Sequence, residues 1–233
     1  MKKGKVAVIG LGQLGMALAE CLSNFGAEVI GIDSNINVIE AAKDKVAYVV
    51  NMDSTDESAL VAQSIQEVDT AVVTIGGNFE NVVLTSVILQ ELGVKKVIAR
   101  ASNAHQHLIL EKMGIHEILN PEANEGVLLA HRLINPSIKK FFPLPDDYEI
   151  VEIETPKRVV NMQLKDMGLR ERYDLNLITI KNSLQTVDKK TGAARTEEHI
   201  VGVPKADSIV KATDQLVLMG KRHNVNRFIE VNS

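Results

Sequence analysis

Residues 5–15 read KVAVIGLGQLG, an apolar β-branched run that ends in three glycines spaced as G-x-G-x-x-G. Such a run predicts a buried strand, and the glycines predict a tight turn into a helix. Apolar residues then recur at helical spacing in a stripe that includes Leu14, Cys21 and Phe25, and Gly26 follows where a helix usually ends. The stretch therefore predicts the first strand, turn and helix of a doubly wound α/β fold.

The first half of the chain continues this alternation of short β-branched runs with longer segments of helical period. Such alternation is typical of βαβ units around a parallel sheet. The S-x-x-E sequence at Ser54–Glu57 has the form of a capping box, and Val83, Leu84, Val87 and Ile88 mark another helix. The predicted strands of this parallel sheet are Lys5–Ile9, Glu28–Ile32, Ala47–Asn51, Thr70–Ile75, Lys95–Arg100 and Glu117–Asn120.

The second half changes character after a predicted helix over Glu122–Ile134, which Pro136 stops. We predict an α/β domain over residues 1–135 with a crossover helix at 122–135, a proline-rich connector at 136–148, and a smaller α+β domain at 149–233. The elements predicted in the smaller domain are strands Glu149–Thr155, Leu175–Lys181, Ile200–Val203, Ser208–Val210 and Gln215–Met219, a short helix around Met162–Met167, a hairpin tip at Asp188–Gly192 and a final helix at Asn224–Val231.

Composition excludes several classes of protein. With 45% apolar and 24% charged residues, the composition of the 233-residue chain excludes disorder for most of its length. A formal charge of -4 and 3% aromatic residues argue against a nucleic-acid-coating surface, which needs a basic excess and stacking platforms. Cys21 is the only cysteine, so no internal disulfide forms. The uncharged run Val6–Ala19 is too short to span a bilayer, and we expect a cytoplasmic protein.

The glycine motif indicates a specific chemistry. Gly10 allows the tight turn, Gly12 lets a diphosphate approach the backbone, and Gly15 lets the helix pack against the strand. Amides at the helix N-terminus then bind phosphate oxygens. Asp33 closes the second strand 18 residues after Gly15, where a carboxylate accepts ribose hydroxyls and repels a 2′-phosphate. The sequence predicts an adenosine di- or triphosphate or NAD(H), and it disfavours NADP(H).

Two further segments follow predicted strands. Asp53-Ser54 comes after the third strand and Ile75–Asn78 after the fourth, at the sheet edge that faces the nucleotide. The glycines at positions 76 and 77 let a backbone approach a ligand, but glycines of this kind also form ordinary turns. Spacing alone leaves both interpretations open.

The sequence offers few candidate catalytic groups, in contrast to its several candidate nucleotide-binding segments. A dehydrogenase needs a substrate site with a proton donor or acceptor. His199 and His223 are isolated in the second domain, and His105 and His107 point to different faces of a predicted helix, so they are poor co-ligands for a metal. The sequence therefore favours a binding protein over an oxidoreductase.

Taken together, these segments resemble an RCK domain, the regulator of potassium conductance, followed by a TrkA-C domain. The resemblance implies a Rossmann-like nucleotide-binding domain and a non-enzymatic cytosolic gating subunit of a Trk- or Ktr-type potassium uptake system. It covers nearly the whole chain and rests on Ala7–Gly12, Asp33, Asp53–Asp56, Ile75–Asn78, Asn120–Glu122, Leu164, Leu169-Arg170, Leu175–Ile180, Val203-Pro204 and Asp207–Gly220.

The resemblance also implies roles for single residues. Glu122 matches a carboxylate that helps to bind a divalent or monovalent cation between subunits. Many ATP-responsive relatives carry an arginine at the position of Gln13, which lacks that charge, so ATP/ADP and NAD(H) both stay open as ligands. The implied nucleotide contacts are Gly10, Gly12, Gln13, Leu14 and Gly15 around the phosphates, Asp33 and Asn35 at the ribose, Asp53 and Ser54 near the adenine, Ile75, Gly76 and Asn78 along the nucleotide, and Arg100 near its phosphates.

A second ligand and several partners follow from the same resemblance. In Gram-positive relatives a dimeric TrkA-C domain binds cyclic di-AMP, and Arg170, Asn176, Ile178 and Pro204 fall at similar places here. Arg170 could equally be part of a solvated charged turn. The implied assembly is a homodimer that builds a ring, an octamer in Ktr relatives, beneath an integral-membrane potassium-translocating subunit of the TrkH or KtrB kind. The protein would then lie peripherally at the inner face of the membrane. The alternatives are a small NAD-dependent oxidoreductase and a free-standing nucleotide sensor.

Overall fold

The computed structural model describes residues 4–187 and 194–233, without the side chains of residues 183–187 and 194–196. The hairpin tip predicted at Asp188–Gly192 lies outside the described residues. The chain divides into two compact units, Met1–Ala123 and Asn124–Ser233, referred to below as the first and second units. Among the described residues, no helix combines the length and the apolar character that crossing a bilayer requires.

The first unit is a doubly wound α/β fold, as predicted. Its six-stranded parallel sheet has the order β3-β2-β1-β4-β5-β6, so the chain winds away from β1 in both directions. The elements are β1 (Lys5–Ile9), α1 (Gln13–Asn24), β2 (Glu28–Asp33), α2 (Ile36–Ala42), β3 (Tyr48–Asn51), α3 (Glu57–Ala62), a 3₁₀ turn (Ile65–Glu67), β4 (Thr70–Val73), α4 (Phe79–Glu91), β5 (Val97–Arg100), α5 (Ala104–Lys112) and β6 (Glu117–Leu119).

The central strands β1, β2 and β4 are buried on both faces along most of their length, which explains why they are apolar runs without alternation. One face of the sheet packs in a cluster that includes Ile9 and Leu89. The other face packs in a cluster that includes Val8 and Ile39. A fold of this kind leaves a crevice at the carboxyl ends of β1 and β4, where the winding direction reverses.

The helix surfaces differ from the predicted stripes. In α4 the buried positions are Val82, Thr85, Ser86 and Leu89, while Leu84 is exposed. The small hydroxyl side chains can be buried because each has a hydrogen-bond partner; for example, Ser86 Oγ donates to the carbonyl oxygen of Val82 at 2.6 Å. In α1 the buried positions are Gly15 and Ala19, and both Cys21 and Phe25 are exposed.

The capping box predicted at Ser54–Glu57 is wrong. The N-cap of α3 is Asp56, whose carboxylate accepts the backbone amide of Ala59 at 3.2 Å. Ser54 is buried, and its hydroxyl lies 2.8 Å from the hydroxyl of Thr85. Because aspartate caps a helix as well as serine does, the residue adjacent to the helix takes the role.

The second unit contains a five-stranded antiparallel sheet of order β10-β9-β11-β8-β7. Its core includes Val151, Ile153, Leu216, Leu218 and Phe228. A helix, α6 (Pro121–Ile134), begins in the first unit and ends in the second. The remaining elements are β7 (Ile138–Pro143), β8 (Tyr148–Glu154), 3₁₀ turns at Lys157–Val159 and Leu164–Asp166, α7 (Leu169–Tyr173), β9 (Asn176–Val187), β10 (Ala194–Ile200), β11 (Asp214–Lys221) and α8 (Arg222–Asn232).

Three elements of the second unit differ from the prediction. Residues 138–143 of the predicted irregular connector form β7, an edge strand that pairs with β8 alone, so the proline at its end costs no ladder bond. The strand predicted at Ile200–Val203 is β10, which ends at Ile200. Ser208–Val210 contributes only an isolated bridge, from Ile209 to Gln163.

Candidate ligand-binding crevice

The turn between β1 and α1 requires glycine at two positions. Gly10 has a φ of +92°, and a Cβ there would lie 2.8 Å from the backbone nitrogen of Ile75. A Cβ on Gly15 would overlap the carbonyl oxygen of Gly10 and lie 2.6 Å from Thr74 Oγ1. The Thr74 hydroxyl itself donates to the Gly10 carbonyl at 2.7 Å. Strand β4 therefore holds the turn in place.

Gly12 differs from the other two glycines. It is the N-cap of α1 with a φ of −63°, and no atom lies within 4 Å of the position that its Cβ would take. No side chain caps this helix end. The first amides of a helix have no intrahelical partner, so those of α1 are free to face a ligand. Gln13 and Leu14 belong to this first turn.

The carboxyl ends of β1 to β4 enclose a crevice of about 220 Å³. Seven of the residues proposed from sequence or resemblance line it together, and they come from four separate segments. Ser34, Met52, Thr74 and Asn81 also line it and were not predicted. The seven are Gly10, Gly12, Asp33, Asp53, Ser54, Ile75 and Gly76.

Asp33 is fixed in the crevice by backbone amides. Its Oδ2 accepts the amide of Leu11 and its Oδ1 accepts the amide of Asn35, each at 2.8 Å. A carboxylate oxygen has two acceptor positions, so both oxygens can still accept a hydroxyl. The Asn35 side chain instead accepts the amide of Asn37 at 3.0 Å and caps α2, outside the crevice lining. Its contact with a ribose stays a prediction.

Asp53 is a second carboxylate at the crevice. Its Oδ1 accepts the backbone amide of Thr55 at 2.9 Å and the Thr55 hydroxyl at 2.7 Å. These two hydrogen bonds, the backbone one first, lower the pKa of the Asp53 carboxyl below its ordinary value. Two carboxylates therefore line the crevice, and no lysine or arginine lines it among the residues that the structure describes.

Asn78 does not line the crevice, but it contacts a residue that does. Its side chain caps α4 by accepting the amide of Glu80 at 3.0 Å, and its amide group donates to Asn81 at 3.2 Å. Asn81, three residues along the helix, is the one that lines the crevice. An asparagine at the first turn of a helix that follows β4 is a signal that could have identified Asn81.

Arg100 lies at the rim rather than in the lining. Its Nη1 is 2.8 Å from the position of a Cβ on Gly76, and its Nη2 forms an ion pair with Glu122 in the first turn of α6. Within the part of the chain that the structure describes, no three acidic, histidine or cysteine side chains are grouped to hold a metal. The predicted cation ligand Glu122 is engaged with Arg100, and its metal role stays a prediction.

A second cavity, of about 460 Å³, lies in the second unit. Arg170, Ile178 and Pro204 line it, whereas Asn176, at the start of β9, does not. The apolar part of the lining includes Leu175 and Val203, and Arg170 is exposed at its edge. Three of the four residues proposed for a second ligand thus share one cavity.

Comparison with known proteins identifies the family. Residues 6–121 match the family model of the TrkA-N domain. Over 228 residues the chain is 31% identical to Ktr system potassium uptake protein C of Bacillus subtilis (strain 168), covering 98% of this chain and 96% of that protein. Ktr system potassium uptake protein A of the same organism is 28% identical over 228 residues, with the same coverage. Among solved structures, the GsuK channel bound to NAD aligns with a TM-score of 0.62 at 14% identity, over 99% of this chain and 39% of that chain. The chain therefore belongs to the family of Ktr potassium uptake proteins with a TrkA-N domain.

Proposed function

We propose that this protein is a regulatory subunit of a Ktr-type potassium uptake system and that it senses an adenine nucleotide in the crevice. The observation that carries the proposal is the placement of Asp33. Two backbone amides orient its carboxylate into a cavity beside the uncapped N-terminus of α1. Phosphates at the helix amides and a ribose at the carboxylate suit this arrangement.

The ligand follows from the same charges. A 2′-phosphate would face the carboxylates of Asp33 and Asp53, so NADP(H) is disfavoured relative to NAD(H) and ATP or ADP. Gln13 is exposed and neutral, and it adds no charge that would select a third phosphate. The GsuK channel was solved with NAD, which supports NAD(H) as one candidate beside ATP and ADP. We propose that all three compete for the crevice.

The proposed role is binding rather than catalysis. The ionisable side chains of the crevice lining are Asp33 and Asp53. The Asp33 carboxylate accepts two backbone amides, and the lowered pKa of the Asp53 carboxyl makes it a poor proton donor near neutral pH. Among the described residues, the crevice lining therefore offers no strong proton donor of the kind that a dehydrogenase uses.

Helix α6 supports the proposed assembly. None of its residues is buried, although the helix is amphipathic. Its apolar side chains are between 46% and 77% exposed at Val127, Leu129, Leu133 and Ile134. Apolar surface of this kind marks an interaction site. We propose that a second copy of the chain covers this apolar face of α6. We further propose that such dimers build a ring, and that the ring contacts a potassium-translocating membrane subunit at the inner face of the membrane.

The second cavity is proposed as a site for cyclic di-AMP. A guanidinium such as that of Arg170 can pair bidentately with a phosphate, and the apolar lining can contact bases. If the second units form a two-fold dimer, two copies of the cavity would suit a two-fold symmetric dinucleotide.

Calorimetric titration with ATP, ADP and NAD tests the nucleotide site. Asp33→Ala removes the ribose acceptor, and we expect binding to weaken by about 1.5–3 kcal/mol, the range for hydrogen bonds to a charged group. Asp44→Ala removes an exposed carboxylate outside the crevice lining and should leave affinity unchanged. Wild-type protein that binds none of the three nucleotides more tightly than millimolar would refute the proposal.

A further inference from the structure

Arg100 is a positively charged residue that lies next to Gly76, which lines the crevice. Arg100 ends β5, and its Nη1 lies 2.8 Å from the position that a Cβ on Gly76 would take. The Arg100 side chain is only 19% exposed. A Cβ at position 76 would therefore displace the end of the Arg100 side chain from its place beside a crevice whose described lining carries two carboxylates.

The guanidinium is only partly used in this position. A guanidinium has five N–H donors. Nη2 donates to Glu122, while Nε is buried and has no hydrogen-bond partner among the described residues. Arg100 therefore has N–H donors that the ion pair with Glu122 does not use.

Glu122 is the counter-charge of Arg100. It is the second residue of α6, and its side chain is 57% exposed. An ion pair with one largely solvated partner is weak enough to be displaced by a more highly charged anion. A diphosphate in the crevice would lie close to the carboxylates of Asp33 and Asp53, which repel it. A positive charge nearby would therefore stabilise the diphosphate more than it stabilises the solvated carboxylate of Glu122.

We propose that Glu122 determines how strongly the crevice responds to phosphate groups, because it competes with them for Arg100. This inference rests on the proposed nucleotide site. Without phosphate in the crevice, Arg100 is held at the first turn of α6. A ligand phosphate near Gly76 replaces Glu122 as the ion-pair partner of the guanidinium, so the Glu122 carboxylate loses its partner. The number of phosphate groups in the ligand is thereby linked to the charge at the start of α6.

Titration calorimetry of wild type and Glu122→Gln with adenosine and ADP tests this competition. Glutamine keeps the size of the side chain and removes its charge. We expect ADP affinity to rise roughly two- to fivefold, within the range that an exposed ion pair can contribute, and adenosine affinity to stay unchanged. Glu125→Gln is the matched control, since Glu125 lies on the same helix and faces Arg132 at 3.9 Å. It should change neither affinity.

Arg100→Gln provides the second measurement. It should reduce the advantage of ADP over adenosine, and Glu122→Gln should add nothing in that background. Unchanged or weaker ADP binding by Glu122→Gln overturns the inference, and so does an equal gain for adenosine. Wild-type protein that binds neither ADP nor adenosine refutes the inference, and if it also binds neither ATP nor NAD it refutes the proposed nucleotide site. Normal wild-type binding with an unresponsive Glu122→Gln refutes the inference alone.

Discussion

Gly12→Ala should separate ligand binding from stability. The backbone at Gly12 has a φ that any residue adopts, and its Cβ would meet no atom within 4 Å. Replacing glycine with alanine at such a position stabilises a protein by about 0.4–1 kcal/mol through the unfolded chain. Alanine is also a poorer N-cap than glycine, which offsets this gain. The free energy of unfolding should therefore change by less than about 1 kcal/mol.

Ligand affinity should change much more. The new methyl group would enter the crevice beside the first amides of α1, where a phosphate must approach within hydrogen-bond distance. Losing one charge-assisted hydrogen bond costs about 1.5–3 kcal/mol, which corresponds to a loss of roughly ten- to 150-fold. Gly77→Ala is the matched control, because its Cβ also meets no atom and Gly77 does not line the crevice.

Thermal unfolding without ligand and calorimetry with ADP and NAD give the two readouts. Gly15→Ala provides the opposite case: its Cβ overlaps the Gly10 carbonyl, so the fold itself should lose about 2–3 kcal/mol. A Gly12→Ala protein that binds like wild type would show that no ligand passes over this turn. A marked loss of its stability, or a fully stable Gly15→Ala protein, would refute the steric reasoning.

Three further outcomes are expected. Lys181 is 7% exposed and contacts Glu152 at 2.8 Å and Glu198 at 2.7 Å, so Lys181→Met should leave the mostly buried Glu152 carboxylate, which is 12% exposed, without its partner and cost about 3 kcal/mol in urea unfolding. Lys139→Met, which breaks an exposed pair, should cost little. Because the hydrogen bond from Lys181 lowers the pKa of Glu198, that pair contributes above the ordinary glutamate pKa, and the difference between variant and wild type should shrink as acid protonates Glu198. An equal loss at all pH values would contradict this. Cyclic di-AMP should raise the melting temperature of wild type and not of Arg170→Ala; equal shifts, or none, would discard the second site. Light scattering should give a dimer or larger, and a monomer at micromolar concentration with and without nucleotide would exclude the assembly through α6.

The sequence predicts the glycine turn and Asp33 well because their constraints are local. The positive φ of Gly10 and the close approach at Gly15 each follow from a backbone that must reverse between a strand and a helix. Asp33 closes the strand next to β1, so its position follows from the order of the first two strands. In a doubly wound fold, the carboxyl ends of such strands meet at one edge.

Contacts between distant residues could not be predicted in this way. Ser54 has the sequence of a helix cap, yet its hydroxyl pairs with Thr85, 31 residues away, on a helix face that the apolar pattern left unmarked. The partner of Arg100 is 22 residues away, and the resemblance implied a cation rather than an arginine at Glu122. Such pairs depend on which groups the fold brings together. Local pattern carries no information about them.

The distribution of charge in the crevice limits how it can distinguish its ligands. Among the described residues, two carboxylates and no cation line it, so in the proposed site the phosphates face the neutral amides of α1 and Arg100 at the rim. The proposed ribose contact at Asp33 would be common to ATP, ADP and NAD, and it would not separate these ligands. Discrimination must therefore arise at the phosphate end. Gln13 brings no charge to the phosphate end. Among the described residues near the crevice, Arg100 is then the charged group that can respond to the number of phosphates, and the strength of its ion pair with Glu122 sets that response.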